Sequence, residues 1–144
     1  MTGGARDRRE VFEYALLRVV PRVDRGESIN AGLLLWCKQM GYLGARVHLD
    51  RERLLALDPT ADPDVVERAL EAACDLAPGP GPDAGAAALD EVGRTFRWLT
   101  SPRSTVVQPG PVHTGLTSDP EADAERLFRL LVLPVQPDLA DPSG

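Results

Sequence analysis

The amino-acid sequence predicts an α+β domain in which three to four helices pack against a mainly antiparallel sheet of four to five strands. Three apolar, β-favouring segments precede Asp50, and the connections between them are too short for parallel crossovers. The helix-start patterns Asp-Pro-Asp and Asp-Pro-Glu then occur in the remainder of the chain. This separation of strand segments from helical segments is typical of the α+β class.

The first three strands are predicted from the spacing of apolar residues. Val11 to Val20 is apolar in both alternating sets, as expected for a strand that is covered on both faces. Arg22 to Asn30 forms a polar connection, and Ala31 to Cys37 is a continuous apolar run that predicts a central strand. Lys38 to Gly41 makes a tight turn, and Tyr42 to Leu49 alternates strictly, which predicts a third strand with one face in water. That wet face holds Tyr42, Gly44, Arg46 and His48.

Three helices are predicted after the third strand and before the last part of the chain. Asp50 to Leu57 forms a short helix, and Asp62 to Leu76 forms a longer one that starts with a capping aspartate and a proline. Ala77 to Gly85 is rich in proline and glycine, which predicts a loop. Ala86 to Leu99 has the apolar spacing of a third helix, although Gly93 weakens its helix propensity.

The end of the chain predicts two short strands and a final helix. Ser104 to Gln108 and Val112 to Thr117 favour β structure, and we assign both to the same sheet. A single interrupted extended segment is the alternative. Ser118 to Glu121 repeats the helix-start chemistry, and apolar residues then recur at helical spacing up to Leu131.

Length and composition are those of one folded domain. The chain has 144 residues, of which 43% are hydrophobic and 26% are charged, close to the average of globular proteins. Residues 11–133 are expected to form a single domain between flexible segments over 1–10 and 134–144. The formal charge of -6 repels nucleic-acid phosphates, so the sequence argues against binding to DNA or RNA.

The N-terminus and the two cysteines predict a cytoplasmic protein. The basic residues near the start precede no apolar stretch of signal-peptide type, and no run approaches the ~18 apolar residues that span a bilayer. Cys37 and Cys74 lie far apart in the sequence, which fits reduced core thiols better than a disulfide framework. We therefore expect no contact with membranes, and the oligomeric state stays open.

No motif in the sequence predicts an enzyme, a metal site or a cofactor. Histidines and cysteines lack the paired spacing of a zinc site, and neither a nucleophile elbow nor a phosphate-binding glycine-rich loop is present. Ser104 and His113 are a conceivable nucleophile and base. A polar hydroxyl at a sheet edge and a surface imidazole explain these two residues more simply.

A polar surface patch is the candidate site that remains. Arg46 and His48 are predicted on the wet face of the third strand, and the connection from Arg25 to Asn30 is predicted at one sheet edge. Arg103 adds a further guanidinium group, so the patch can donate charge-assisted hydrogen bonds to an anion or to a partner protein. An ordinary solvated surface is the alternative interpretation.

Several segments of the chain resemble an uncharacterised bacterial family, domain of unknown function 3037. They are Tyr14 to Pro21, Arg25 to Leu35, Leu54 to Pro59, Ser101 to Ser104 and the closing Asp119-Pro120 helix. The positions that match the family pattern are Arg18, Gly26, Glu27, Asn30 and Gly32. The resemblance implies a protein partner, namely a kinase of the HipA-like type, and it identifies no catalytic residue.

These observations together predict a non-enzymatic accessory module that binds a protein partner, with no cofactor and no metal. The candidates for contact with a partner or ligand are Arg18, Arg25, Glu27, Asn30, Arg46, His48 and Arg103. The alternative is a small-molecule or nucleotide-binding protein, or an enzyme, that surrounds an anionic ligand. In that case the binding residues are Arg18, Glu27, Arg46 and His48.

Overall fold

The computed structural model describes residues 8–77, 86–101 and 105–135. The strands within this part of the chain are β1 (Glu10–Val19), β2 (Ile29–Cys37), β3 (Tyr42–Val47), β4 (Val107–Pro109) and β5 (His113–Thr117). The helices are α1 (Arg51–Leu57), α2 (Pro63–Leu76), α3 (Ala86–Leu99) and α4 (Pro120–Leu131). The predicted α+β class is confirmed. The predicted loop over 77–85 and the predicted flexible segments lie largely outside the described residues.

The five strands form one antiparallel sheet in the order β3-β2-β1-β4. β5 also pairs with β1, on the side away from β2, so that β4 and β5 share one edge of β1. β4 pairs with residues 17–19 of β1, and β5 pairs with residues 10–14. The predicted meander of the first three strands and the addition of two later strands to the same sheet are both confirmed.

The second strand begins earlier than the sequence indicated. Ile29 and Asn30 were predicted in a polar connection, but they pair with Val19 and Arg18 of β1. The register shifts between Leu17 and Arg18, which is the mark of a β-bulge. Ile29 is 2% exposed and belongs to the core, so its burial extends the strand in spite of its polar neighbours.

Helices cover both faces of the sheet. α2 and α3 cover one face, where Leu34 of β2 packs in the same core cluster as Leu70 and Phe96. α4 covers the opposite face, where Leu127 packs with Leu35 of β2. The central strand β2 is therefore buried between two helical layers, as its continuous apolar run predicted.

The prediction that one face of β3 lies in water is wrong for Tyr42 and Arg46, whereas His48, just beyond the strand, is exposed. Tyr42 packs against the cluster beneath α4, and the Arg46 side chain is only 19% exposed. The alternating pattern of β3 is real, but its polar set faces the charged side chains of α4 instead of solvent. Contact with a helix that begins at Pro120 does not leave a signal in the local sequence of β3.

Three helices begin with an aspartate cap. The carboxylate of Asp62 accepts hydrogen bonds from the backbone N–H groups of Asp64 and Val65. Asp50 and Asp119 cap α1 and α4 in the same way. Each cap satisfies backbone donors that otherwise lack a partner at the first turn of a helix. None of the described helices is both long enough and apolar enough to cross a membrane.

Gly93 allows α3 to approach Trp36 of β2. A Cβ atom at position 93 would lie 2.8 Å from Cζ2 of the buried indole ring. In an exposed helix, a change from glycine to alanine stabilises the helix by about 1 kcal/mol. Here we expect Gly93→Ala to lower the free energy of unfolding by about 1 kcal/mol, because the helix and the ring must separate.

Urea denaturation of Gly93→Ala with and without Trp36→Phe tests this explanation. The smaller ring of the second variant makes room for the added methyl group. The loss of stability caused by Gly93→Ala should therefore shrink in the Trp36→Phe background. An unchanged loss would show that contact with the indole ring is not its cause.

Candidate functional site

Arg18 lies in a polar row that crosses three strands. The backbone register places Asn30 of β2 on one side of Arg18 and Gln108 of β4 on the other. Residues directly opposite each other in a sheet project from the same face, so the three side chains are neighbours. Arg18 and Asn30 were predicted from the sequence but Gln108 was not, since the pairing of β1 with β4 joins distant parts of the chain.

Asn30 fastens the end of α4 to the sheet. Its Nδ2 donates a hydrogen bond of 3.1 Å to the carbonyl oxygen of Leu131, the last residue of that helix. Carbonyl groups in the final turn of a helix lack a donor within the helix, so this bond satisfies a group that needs one. The side chain of Asn30 therefore has a structural role, in addition to its place beside Arg18.

A hollow of about 190 Å³ lies beside Arg18. It is lined by Arg18, Val20, Val23, Gly26, Ser28, Gln108 and Pro109. Gly26 has φ +72°, in the left-handed region that favours glycine, and its N–H donates to the carbonyl of Arg22 at 3.2 Å. This turn brings the connection between β1 and β2 back towards Arg18, and Ser28 reaches the hollow.

The guanidinium group of Arg18 rests against Gly110. A Cβ atom at position 110 would lie 3.1 Å from both Cζ and Nε of Arg18, so glycine leaves the space that the guanidinium occupies. The N–H of Gly110 donates to the carbonyl of Leu16 at 2.7 Å, which fixes this backbone to β1. Across residues 8–77, 86–101 and 105–135, the Arg18 side chain has neither an ion pair nor a hydrogen bond.

Arg25 and Glu27 bind each other at the turn that contains Gly26. Nε of Arg25 donates to Oε1 of Glu27 at 2.7 Å, and both side chains are exposed. This hydrogen bond holds the pKa of Glu27 below its ordinary value. Exposed pairs contribute little to stability, so the pair mainly neutralises the two charges at the surface beside the hollow.

Arg46 is the centre of a second group of polar side chains. Its Nη2 donates to Glu121 of α4 at 2.7 Å, and its Nε lies 3.3 Å from Oε1 of Glu125. The hydroxyl of Tyr42 donates to Glu121 at 2.7 Å. Burial is the main cause that raises the pKa of Tyr42, and this hydrogen bond raises it further. We call Tyr42, Arg46, Glu121 and Glu125 the Arg46 cluster. It joins β3 to α4 through charge-assisted hydrogen bonds.

His48 and Arg103 are the two remaining candidates. The side chain of His48 is exposed, and its backbone N–H donates to the carbonyl of Ala31 at 2.8 Å. Arg103 lies outside the described residues. The structure thus brings Arg18 together with Asn30, and Arg25 together with Glu27, whereas α4 occupies Arg46.

Cys37 is buried and Cys74 is half-buried, and His113 packs on an aromatic ring. Both thiols are free, and burial raises the pKa of Cys37 and of Cys74, which makes them poor nucleophiles at neutral pH. His113 packs on Tyr14 with ring centroids 5.2 Å apart, and Ser104 lies outside the described residues. The same described residues contain no group of three or more His, Cys, Asp or Glu side chains that can hold a metal ion.

The outer edge of β5 is open within the part of the chain that the structure describes. β5 pairs with β1 on one side, and no other described strand pairs with it. His113 to Thr117 contains no lysine, acidic residue or proline, which are common protections of edge strands. Val11 and Leu116 lie opposite each other and are 57% and 60% exposed. At the opposite edge of the sheet, α2 covers part of β3, and the thiol of Cys74 donates to the carbonyl of Ala45 at 3.3 Å.

Comparison with known proteins places the chain in a family. Neither the curated proteins nor the solved structures include a match to it. The family model described as protein of unknown function (DUF3037) matches residues 14–132. The matched segment runs from β1 to the end of α4, so it includes the Arg18 hollow, the Arg46 cluster and β5. The resemblance in the sequence motifs is thereby confirmed, and the chain belongs to the DUF3037 family of proteins of unknown function.

Proposed function

We propose that this domain is a cytoplasmic, non-enzymatic module that binds an extended segment of a partner protein along the outer edge of β5. The open edge of β5 is the observation that carries the proposal. In an edge strand, alternate N–H and C=O groups point away from the sheet, and an added strand pairs with them. Two free thiols support a reducing compartment.

The surroundings of β5 define the chemistry of the partner segment. On one face of the sheet, Val11 and Leu116 present an exposed apolar pair. On the other face, His113 stacks on Tyr14. A strand added beside β5 places alternate side chains on these two faces, so we expect an apolar residue at every second position on the Val11 side. The net charge of -6 favours encounter with a segment that carries basic residues.

A HipA-like kinase is the first partner to test, because the family resemblance implies such a kinase. A photoreactive amino acid at position 116 identifies the partner, and the same amino acid at position 130 is the control. Leu130 is 67% exposed and lies on α4, away from the edge strand. We expect one extended partner segment to cross-link from position 116 and not from position 130.

The variants Leu116→Lys and Leu130→Lys then measure the contribution of the edge with the purified partner. Lysine on an edge strand opposes pairing with another strand. We expect Leu116→Lys to weaken binding by at least about tenfold and Leu130→Lys by less than about twofold. Isothermal titration calorimetry measures both affinities.

Two outcomes would contradict the proposal. Equal affinities of Leu116→Lys and the unmodified protein would show that β5 does not form the interface. Cross-links exclusively to a second copy of this chain would show that the edge forms a homodimer instead of binding a different protein. Amide hydrogen exchange of β5 gives an independent check, since strand addition must slow it.

A further inference from the structure

We infer that the hollow beside Arg18 binds a single oxyanion group, a carboxylate or a phosphate. This site goes beyond the proposed interaction module. It lies at the end of β1 that pairs with β4, whereas β5 pairs with the other end. Binding of an anion here and binding of a strand at β5 can therefore be measured separately.

The charge of Arg18 has no partner among the residues that the structure describes. The other basic residues without a side-chain partner in the described ranges are Arg9, Lys38, Arg53 and Arg68. These four are exposed, so water solvates their charges, but Arg18 is half-buried. A guanidinium group that has lost part of its water gains most from an acceptor that carries a negative charge.

The position of the guanidinium group beside Gly110 also favours anion binding. The group lies in the space that Gly110 leaves open, and the backbone of Arg18 pairs with a strand on each side. A guanidinium that is already oriented loses little conformational freedom when it binds. Its planar arrangement of donors matches the two oxygens of a carboxylate or of a phosphate.

The lining of the hollow combines hydrogen-bond donors with apolar walls. Ser28 and Gln108 add a hydroxyl and an amide to its lining, and these groups donate hydrogen bonds to oxyanions. Val20, Val23 and Pro109 supply apolar walls, which strengthen the attraction between an anion and the guanidinium.

The acidic residues near the hollow pair with other arginines and not with Arg18. Asp24 lies 3.7 Å from the guanidinium of Arg22, and Glu27 is hydrogen-bonded to Arg25. Neither carboxylate lies within 4 Å of Arg18 in an ion pair. The local charge at the hollow is thus positive although the whole chain is acidic.

The size of the hollow limits the ligand. Its volume of about 190 Å³ is smaller than the roughly 300–1,000 Å³ of pockets that enclose a drug-sized molecule. A carboxylate or one phosphate group fits this space, whereas the base and sugar of a nucleotide have to lie outside it. The site therefore recognises a terminal oxyanion rather than a complete nucleotide.

Titration of the full chain with sodium phosphate, and separately with sodium acetate, tests the inference. Both titrations run at constant ionic strength and are followed by ¹H–¹⁵N NMR. We expect saturable shifts of the amide signals of Gly26, Ser28 and Gly110 at concentrations up to about 50 mM. The anion that saturates at the lower concentration identifies the preferred oxyanion, and saturation by either one supports the inference.

Two glutamine variants provide the matched comparison. Arg18→Gln should weaken anion binding by at least about tenfold, because charge-assisted hydrogen bonds are lost. Arg53 is an exposed residue far from the hollow in the sequence, and its guanidinium group has no partner among the described residues. Arg53→Gln should therefore leave the affinity unchanged. Shifts that grow linearly without saturation, or equal shifts in Arg18→Gln and the unmodified protein, would overturn the inference.

Arg18→Lys keeps the test decisive if Arg18→Gln does not fold. Lysine retains the positive charge and loses the planar pair of donors. We expect Arg18→Lys to bind the preferred anion at least about threefold more weakly than Arg18 does. Equal affinity would show that the guanidinium geometry is not used and would overturn the inference.

Discussion

Replacement of Phe96 by alanine is expected to lower the free energy of unfolding by about 3–5 kcal/mol. The Phe96 side chain is 0% exposed, and its ring centroid lies 5.3 Å from that of Trp36. Its loss leaves a cavity between α3 and the central strand β2, which is held on both sides and cannot move to fill it. Urea denaturation followed by circular dichroism measures the change.

Leu130→Ala is the control for this variant. Leu130 is 67% exposed, and its truncation should change the free energy of unfolding by less than about 0.5 kcal/mol. A decrease below about 1 kcal/mol for Phe96→Ala would contradict the packing of α3 on β2. Domains of this size have a total stability of about 5–15 kcal/mol, so the expected loss is a large part of it.

Arg46→Ala is expected to lower the free energy of unfolding by about 2 kcal/mol. The change removes the cation that binds Glu121 and Glu125 and leaves their carboxylates next to each other. The Arg46 side chain is 19% exposed, whereas those of Glu121 and Glu125 are 68% and 44% exposed. Water screens the two carboxylates, so the loss is smaller than the roughly 3–5 kcal/mol expected for a fully buried pair.

The effect of Arg46→Ala should be concentrated in α4. Amide hydrogen exchange in that helix is expected to accelerate more than exchange in β2, because the Arg46 cluster joins α4 to β3. Arg126→Ala is the matched control, since Arg126 forms a helix-surface pair with Asp123 and is 58% exposed. Arg126→Ala should lower the free energy of unfolding by less than about 0.5 kcal/mol. Equal amide hydrogen exchange of α4 in the two variants would contradict the prediction that Arg46 holds α4 against β3.

Local chemistry made most of the secondary structure predictable. The caps at Asp62 and Asp119 depend on residues within one turn, so the sequence contains the whole signal. The alternation of β3 and the turn after Cys37 are local as well, and Cys37 pairs with Tyr42 as expected for that turn. Patterns of this kind need no knowledge of the rest of the molecule.

The errors occur where distant segments meet. Arg46 and Tyr42 looked solvated because the helix that covers them begins at Pro120. Gly93 has a low helix propensity, which argued against α3 in the sequence. The close approach of Trp36 explains why this position holds a glycine. Tertiary packing outweighs local propensity at such positions.

The candidate site could be predicted only in part for the same reason. Arg18 and Gly26 were identified from the sequence, and they do line one hollow. Gln108 and Gly110 complete the surroundings of the guanidinium, but the pairing of β4 with β1 determines their position. The open edge of β5 likewise depends on which strand β5 joins.

The place of β1 in the sheet has a consequence for the newly made chain on the ribosome. β1 ends at Val19 and can pair with β2 soon after that strand is made, but its other side pairs with β4 and β5 and is complete only when β5 ends at Thr117. At about 5–20 residues per second, this interval lasts roughly 5–20 s. During translation the apolar strand at the centre of the finished sheet is therefore itself an edge, open to chaperones and to other nascent chains.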